Sequence, residues 1–205
     1  MSRRSMILGA AGHPCGHRPV ARQRSWSPFV AYRGFAVAGC KTSLSKCTIV
    51  VLLWLIEALQ LQGLQLEALP HLESLLRLQP EDPVALASLA EIALDGAEPK
   101  RWQQVVEMTA GTGNDSAIHT AVLLYRGLAL VKLGMDHATI DVFTTALRRN
   151  RDRSEASLRE IRYQRALVYE RTGKKAQARR ELERVYAEDP SFEDVAQRLG
   201  LRLAG

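Results

Sequence analysis

Five histidines and three cysteines are the side chains of this chain best suited to hold a metal or to attack a substrate. Their spacing argues against both. His13, Cys15 and His17 alternate, with Cys40 and Cys47 further on. A zinc site needs four ligands converging from CxxC-like or HxxxH-like pairs, whereas alternation throws side chains to opposite sides of an extended segment. His71, His119 and His137 each stand alone on an expected helix, without a cysteine nearby. No GxxxxGKS/T phosphate loop and no HExxH helix occurs. Gly111-Thr112-Gly113 lacks both a preceding strand and a helix-opening glycine, so it is no dinucleotide fingerprint. The many carboxylates read as charged helix surface. The chain therefore offers no catalytic residue, no metal site and no cofactor site, and is expected to be non-enzymatic.

The 205 residues are 46% hydrophobic and 24% charged, enough apolar material for one ordinary core or a short array of small units. That composition excludes a wholly disordered chain and a polytopic membrane protein. The net charge of +6 is unevenly placed. Residues 1–46 carry eight Lys or Arg and no acid, residues 47–124 three bases against ten acids, and residues 125–205 seventeen bases against twelve acids. The whole-chain charge averages three different objects, and it is not a nucleic-acid signature.

Residues 1–46 mix Arg, Ser, Gly and Pro with scattered aromatics (Trp26, Phe29, Tyr32, Phe35) and show no helical or alternating period. Such a segment cannot bury a continuous face and is expected to be disordered. Three readings stand for it: a transit peptide, a nucleic-acid-binding arm, or an upstream stretch included by a misplaced start. The run Thr48–Ile56 that follows is about half the ~20 residues a membrane span requires, and Glu57 and Gln60 close it. It reads as a buried helix of the body, and no membrane span is expected.

From residue 47 onward the pattern is helical throughout, with no strand alternation and no hairpin turn. Gly63, Gly134 and Gly173 each end one helical pattern and precede another, while Pro80 and Pro190 close second helices. Four units begin near Ile49, Pro83, Thr120 and Arg159, at spacings of 34, 37 and 39 residues. The first runs Leu52-x2-Leu55-Ile56-x2-Leu59, Gly63, Ala68, Leu72, Leu75, Pro80. The last runs Arg162-x2-Arg165-Ala166-x2-Tyr169, Gly173, Ala178, Leu182, Val185, Pro190. The third matches through Gly127, Gly134 and Phe143. The second is degenerate, keeping Leu86, Leu89, Ala90 and Ala93, with a loose end at Thr109–Asn114.

This register resembles the tetratricopeptide repeat over residues 49–192. Arg126 and Arg165 depart from it, standing where a large apolar residue is usual. The resemblance implies an all-α fold of tandem helix-turn-helix units stacked as a short α-solenoid. The repeat domain is placed at 47–205, with units near 49–82, 83–116, 120–153 and 159–192 and a capping helix over 193–203. It also implies that the first helices line a concave face carrying Leu53, Glu57, Glu91, Leu124, Leu128, Glu160, Tyr163, Leu167 and Glu170. Four carboxylates and no base among aliphatic groups would suit an apolar or basic peptide or helix of another protein. Repeat domains that dock acidic chaperone tails use Lys, Asn and Arg there; Leu53 and Glu57 occupy the first of those places, so that partner is not expected. For Leu53, Leu124 and Leu128 the alternative is packing between units or a self-association interface.

The basic residues Arg148, Arg149, Arg151 and Arg153, with Lys174, Lys175, Arg179, Arg180 and Arg184, read first as a solvated face. The competing function is an RNA- or anionic-surface-binding protein that uses the Arg-rich leader and the basic C-terminal units; a nucleic-acid partner is the less favoured of the two. The expected location is cytoplasmic, or an organelle if residues 1–46 are a transit peptide.

Overall fold

A computed structural model describes residues 44–201; most of the expected leader, including His13, Cys15, His17 and Cys40, lies outside the described residues. Among the described residues nine helices follow in order: α1 (Leu44–Leu61), α2 (Gln65–Leu78), α3 (Pro83–Asp95), α4 (Pro99–Met108), α5 (Ala117–Lys132), α6 (Asp136–Leu147), α7 (Glu155–Arg171), α8 (Lys175–Glu188) and the single turn α9 (Val195–Arg198). There is no strand among the described residues. Each helix packs on the next, and α5 packs additionally on both α3 and α7. This is a short helical-repeat solenoid of four helix pairs.

The repeated glycines make one repeated turn. At the end of α1, Leu64 N–H donates to Leu59 O (2.9 Å) and Gly63 N–H to Gln60 O (3.1 Å). The same two bonds recur at Gly134 and at Gly173. They satisfy carbonyls left orphaned at a helix C-terminus, and they require the left-handed backbone found at Gly173, φ 76°. The second pair lacks this turn, because Gly96 is extended. The start of α3 is sealed locally: Pro83 opens it, and the Asp82 carboxylate accepts from Val84 N–H (2.9 Å) and Ala85 N–H (3.1 Å).

The core changes character along the array. A large aliphatic cluster from Ile56 to Ala129 holds α1 to α5 together. A second cluster joins Leu123, Leu124, Phe143, Ala146 and Ile161, and a third joins Tyr163, Ala166, Leu182, Val185 and Val195. Leu128 packs against both the first and the second. Where a small residue was expected to let helices approach, Gly127 does so against Phe143: a Cβ built on it would stand 2.0 Å from the ring.

The closing helix is much shorter than the expected 193–203. Gly200 repeats the glycine turn directly after α9, with Leu201 N–H donating to Ala196 O (2.9 Å). The Asp194 side chain, placed to cap α9, instead accepts from Tyr163 Oη (2.5 Å) and pairs with Arg198 Nε (2.7 Å). What remains is one turn pinned to α7 rather than a helix propagating on its own.

Candidate interaction face

The first helices of successive pairs present the expected residues in two different states. Leu124 and Tyr163 are 9% and 7% exposed and belong to the second and third core clusters. Tyr163 is held further by the Asp194 bond and by the Phe192 ring, edge-on at 5.5 Å. Leu53, Leu128 and Leu167 are half-buried and lean on core clusters while keeping part of their surface in solvent. Leu124 and Leu128 belong to the cluster that joins α5, α6 and α7, whereas Leu167 packs within the last unit, on the cluster of α7, α8 and α9.

The carboxylates divide likewise. Glu170 is engaged within the array, accepting from Arg198 Nη1 at 2.5 Å. Glu57 is half-buried on α1. Glu91 and Glu160 are half-buried, and neither forms an ion pair among the described residues. Glu91 faces the Tyr125 hydroxyl, and Glu160 Oε1 accepts from Gln164 Nε2 (2.9 Å). Burial lifts the pKa of Glu91 above the usual carboxylate range, and the nearby charge of Asp95 lifts it further against the opposing Tyr125 hydroxyl. Burial likewise lifts Glu160, aided by Glu193 and opposed by Gln164 and Arg159. The same burial, together with Glu91, raises the Tyr125 phenol. Tyr125 and Gln164 were not singled out from the sequence; the legible signal was a tyrosine on a mostly buried helix, whose hydroxyl needs a partner.

The basic residues are largely spent inside the array. Arg126 Nη1 donates to Val106 O (3.1 Å) and so caps the end of α4. Arg165 donates to Thr144 Oγ1 (3.1 Å) on α6 and pairs with the buried Glu181 on α8 (2.9 Å). The two arginines that break the repeat pattern thus tie each first helix to its neighbours by polar bonds where an apolar residue would interlock. Arg162 pairs with Glu188, Arg159 with Asp189 and Arg171 with Asp136. Arg179 pairs with Glu183 four residues on, at the helix spacing expected of it.

Arg148, Arg149, Arg151 and Arg153 surround an open depression of about 400 Å³ together with Asp115 and Asp152. Two of the four are tied down there, Arg149 to Asp115 (3.3 Å) and Arg153 to Asn114 O (3.1 Å). The loose end of the second unit is in fact a pinned loop. Asn114 Nδ2 donates to Thr145 O (3.0 Å) and Ala146 O (2.9 Å), sealing the end of α6, and its Oδ1 accepts from Thr120 Oγ1 (2.7 Å). Among the described residues, no group of three His, Cys, Asp or Glu gathers where it could hold a metal, and no helix is long and apolar enough to cross a membrane.

Stacked helix pairs with a glycine turn inside each of three, each pair packed on the next and the first helices α3, α5 and α7 in one row, define a helical-repeat protein. Residues 65–201 match the family described as T7SS, ESX-1 secretion system protein EccA1, N-terminal domain, and the chain belongs to that family. The matched range begins at α2 and leaves α1 outside it. No curated protein and no solved structure gave a match.

Proposed function

We propose that this chain is a non-catalytic protein-interaction scaffold of the tetratricopeptide type, serving a secretion-system protein of the EccA1 kind. Its ligand is an apolar or basic peptide or helix of another protein, laid across the first helices α3, α5 and α7. The observation that carries this is the contrast among carboxylates. Glu181, Glu188, Asp136 and Glu170 each have an arginine supplied from within the array. Glu91 and Glu160 are half-buried on the first-helix row and form no ion pair among the described residues, Arg159 acting on Glu160 through its charge alone. A buried carboxylate without a cation costs stability, and a Lys or Arg from a partner would relieve that cost on binding.

The test is a fluorescence-anisotropy titration with a labelled amphipathic helix carrying Leu on one side and Lys on the other. Binding is expected, and the double substitution Glu91→Gln, Glu160→Gln should weaken it by roughly tenfold or more, the scale of one to two charged hydrogen bonds. Equal binding by the double variant would sink the proposal. So would a preference for RNA that falls steeply with salt, which is the mark of phosphate contacts on the Arg148–Arg153 turn.

A further inference from the structure

The first helix of the array is apolar on both sides. Ile49, Leu52, Leu53, Ile56 and Leu59 of α1 belong to the core cluster shared with α2 and α3. Two residues out of step, Val51, Trp54, Leu55 and Leu61 recur at helical spacing and are exposed, Trp54 by 65% and Leu61 by 75%. A shift of two residues is about 200° around a helix, so the two stripes lie on opposite sides. Leu64 and Leu66 carry the outer stripe around the Gly63 turn onto α2. A helix apolar all round is one that something must cover. Repeat arrays need polar outer faces on their terminal units. At the other end α8 meets this with exposed Lys175, Arg179, Arg180, Glu183 and Arg184; α1 does not.

We propose that the outer stripe of α1 is an interface between two copies of this chain, packed α1 against α1 about a twofold axis. Area supports this occupant. The six exposed side chains offer on the order of 600 Å² per copy, at the upper end of what a monomer leaves in water. Paired, they bury roughly 1,200 Å², where standard interfaces begin. Charge supports it as well. Between Cys47 and Leu66 the sole charged residue is Glu57, which is half-buried, so laying the stripe on its own copy opposes no exposed like charges. Residues 1–43 are a poorer cover: they are basic, without an acid, and lack the helical period that would supply a continuous apolar face. This surface lies outside the α3, α5 and α7 row, so either proposal can fail without the other.

Sedimentation velocity of the full chain over a concentration series tests it, comparing wild type with Trp54→Glu and Val51→Lys. A dimer is expected whose dissociation constant rises by ~100-fold or more in either variant, since each places an unpaired charge in the contact. Far-UV circular dichroism should be unchanged, both positions being exposed in the single chain. A wild type that stays monomeric up to ~100 μM overturns the proposal and leaves the stripe to residues 1–43 or to a different protein. A dimer indifferent to both substitutions overturns it too. Should both variants unfold, the melting of the wild type decides, because a dimer held this way must melt higher at higher concentration.

Discussion

At Gly127 the absence of a side chain is what allows α5 and α6 to meet. A methyl group there would stand 2.0 Å from Cε1 of Phe143, a fully buried ring with no room to retreat. Gly127→Ala is therefore expected to destabilise by about 1–3 kcal/mol despite alanine's better helix propensity. Thermal unfolding should show a drop of roughly 2–4 °C per kcal/mol. Glu91 makes the opposite kind of prediction. Its folded pKa lies above the ordinary 4.5, so the folded state binds its proton more tightly than the unfolded chain does. Stability is then fully present below the ordinary carboxylate pKa and is lost as pH rises through the folded value. Glu91→Gln should melt above wild type at neutral pH and lose that advantage near pH ~4, read as the difference between two Tm-against-pH curves. Such a cost in stability accords with the binding role proposed for Glu91.

Between elements, the links differ from pair to pair. Arg165 reaches from α7 to α6 and α8 at once, yet its own Nε and Glu181 Oε2 are buried without a hydrogen-bond partner. A buried pair so incompletely satisfied specifies geometry more than it stabilises. Glu181→Leu alone should cost about 3–5 kcal/mol, because it strands the guanidinium, while Arg165→Met with Glu181→Leu should recover most of the loss. Urea unfolding of the single and double variants measures both, and a double variant as weak as the single would contradict it. The helix pairs and their glycine turns were legible in the sequence because a period of 3.6 residues and a left-handed turn are local properties. The arginines were legible only as departures from the repeat. Their bonds run to Val106, Thr144 and Glu181, sixteen to twenty-one residues away in the chain. Leu124 and Tyr163 illustrate the same limit: the register puts them on the first-helix row, and a neighbouring helix or the Phe192–Asp194 segment then closes over them.

The molecule as a whole has an aliphatic end and an ionic end. From α1 to α5 the helices share one large apolar cluster, while α7 to α9 combine a small cluster with pairs from Arg159, Arg162, Arg165 and Arg198. In a repeat array each unit is held by its neighbours alone, so the two ends can answer to different solvents. In molar salt, where screening acts over ~3 Å, amide exchange in α7 and α8 should quicken relative to α2 and α3. Hydrogen-exchange mass spectrometry at two salt concentrations resolves this, and uniform protection across the chain would count against it.

The connection between α4 and α5, residues 109–116, is the longest in the array, and by length alone it would be the natural place to graft a loop or to find a protease cut. Asn114 reverses that judgement. Its side chain serves as the final cap of α6, and its carbonyl anchors Arg153 from the following loop. A nick or an insertion at Asn114 would unseal a helix more than thirty residues downstream. The short exposed link at Ala97–Glu98 is the better site for a tag, a spacer or an evolutionary insertion.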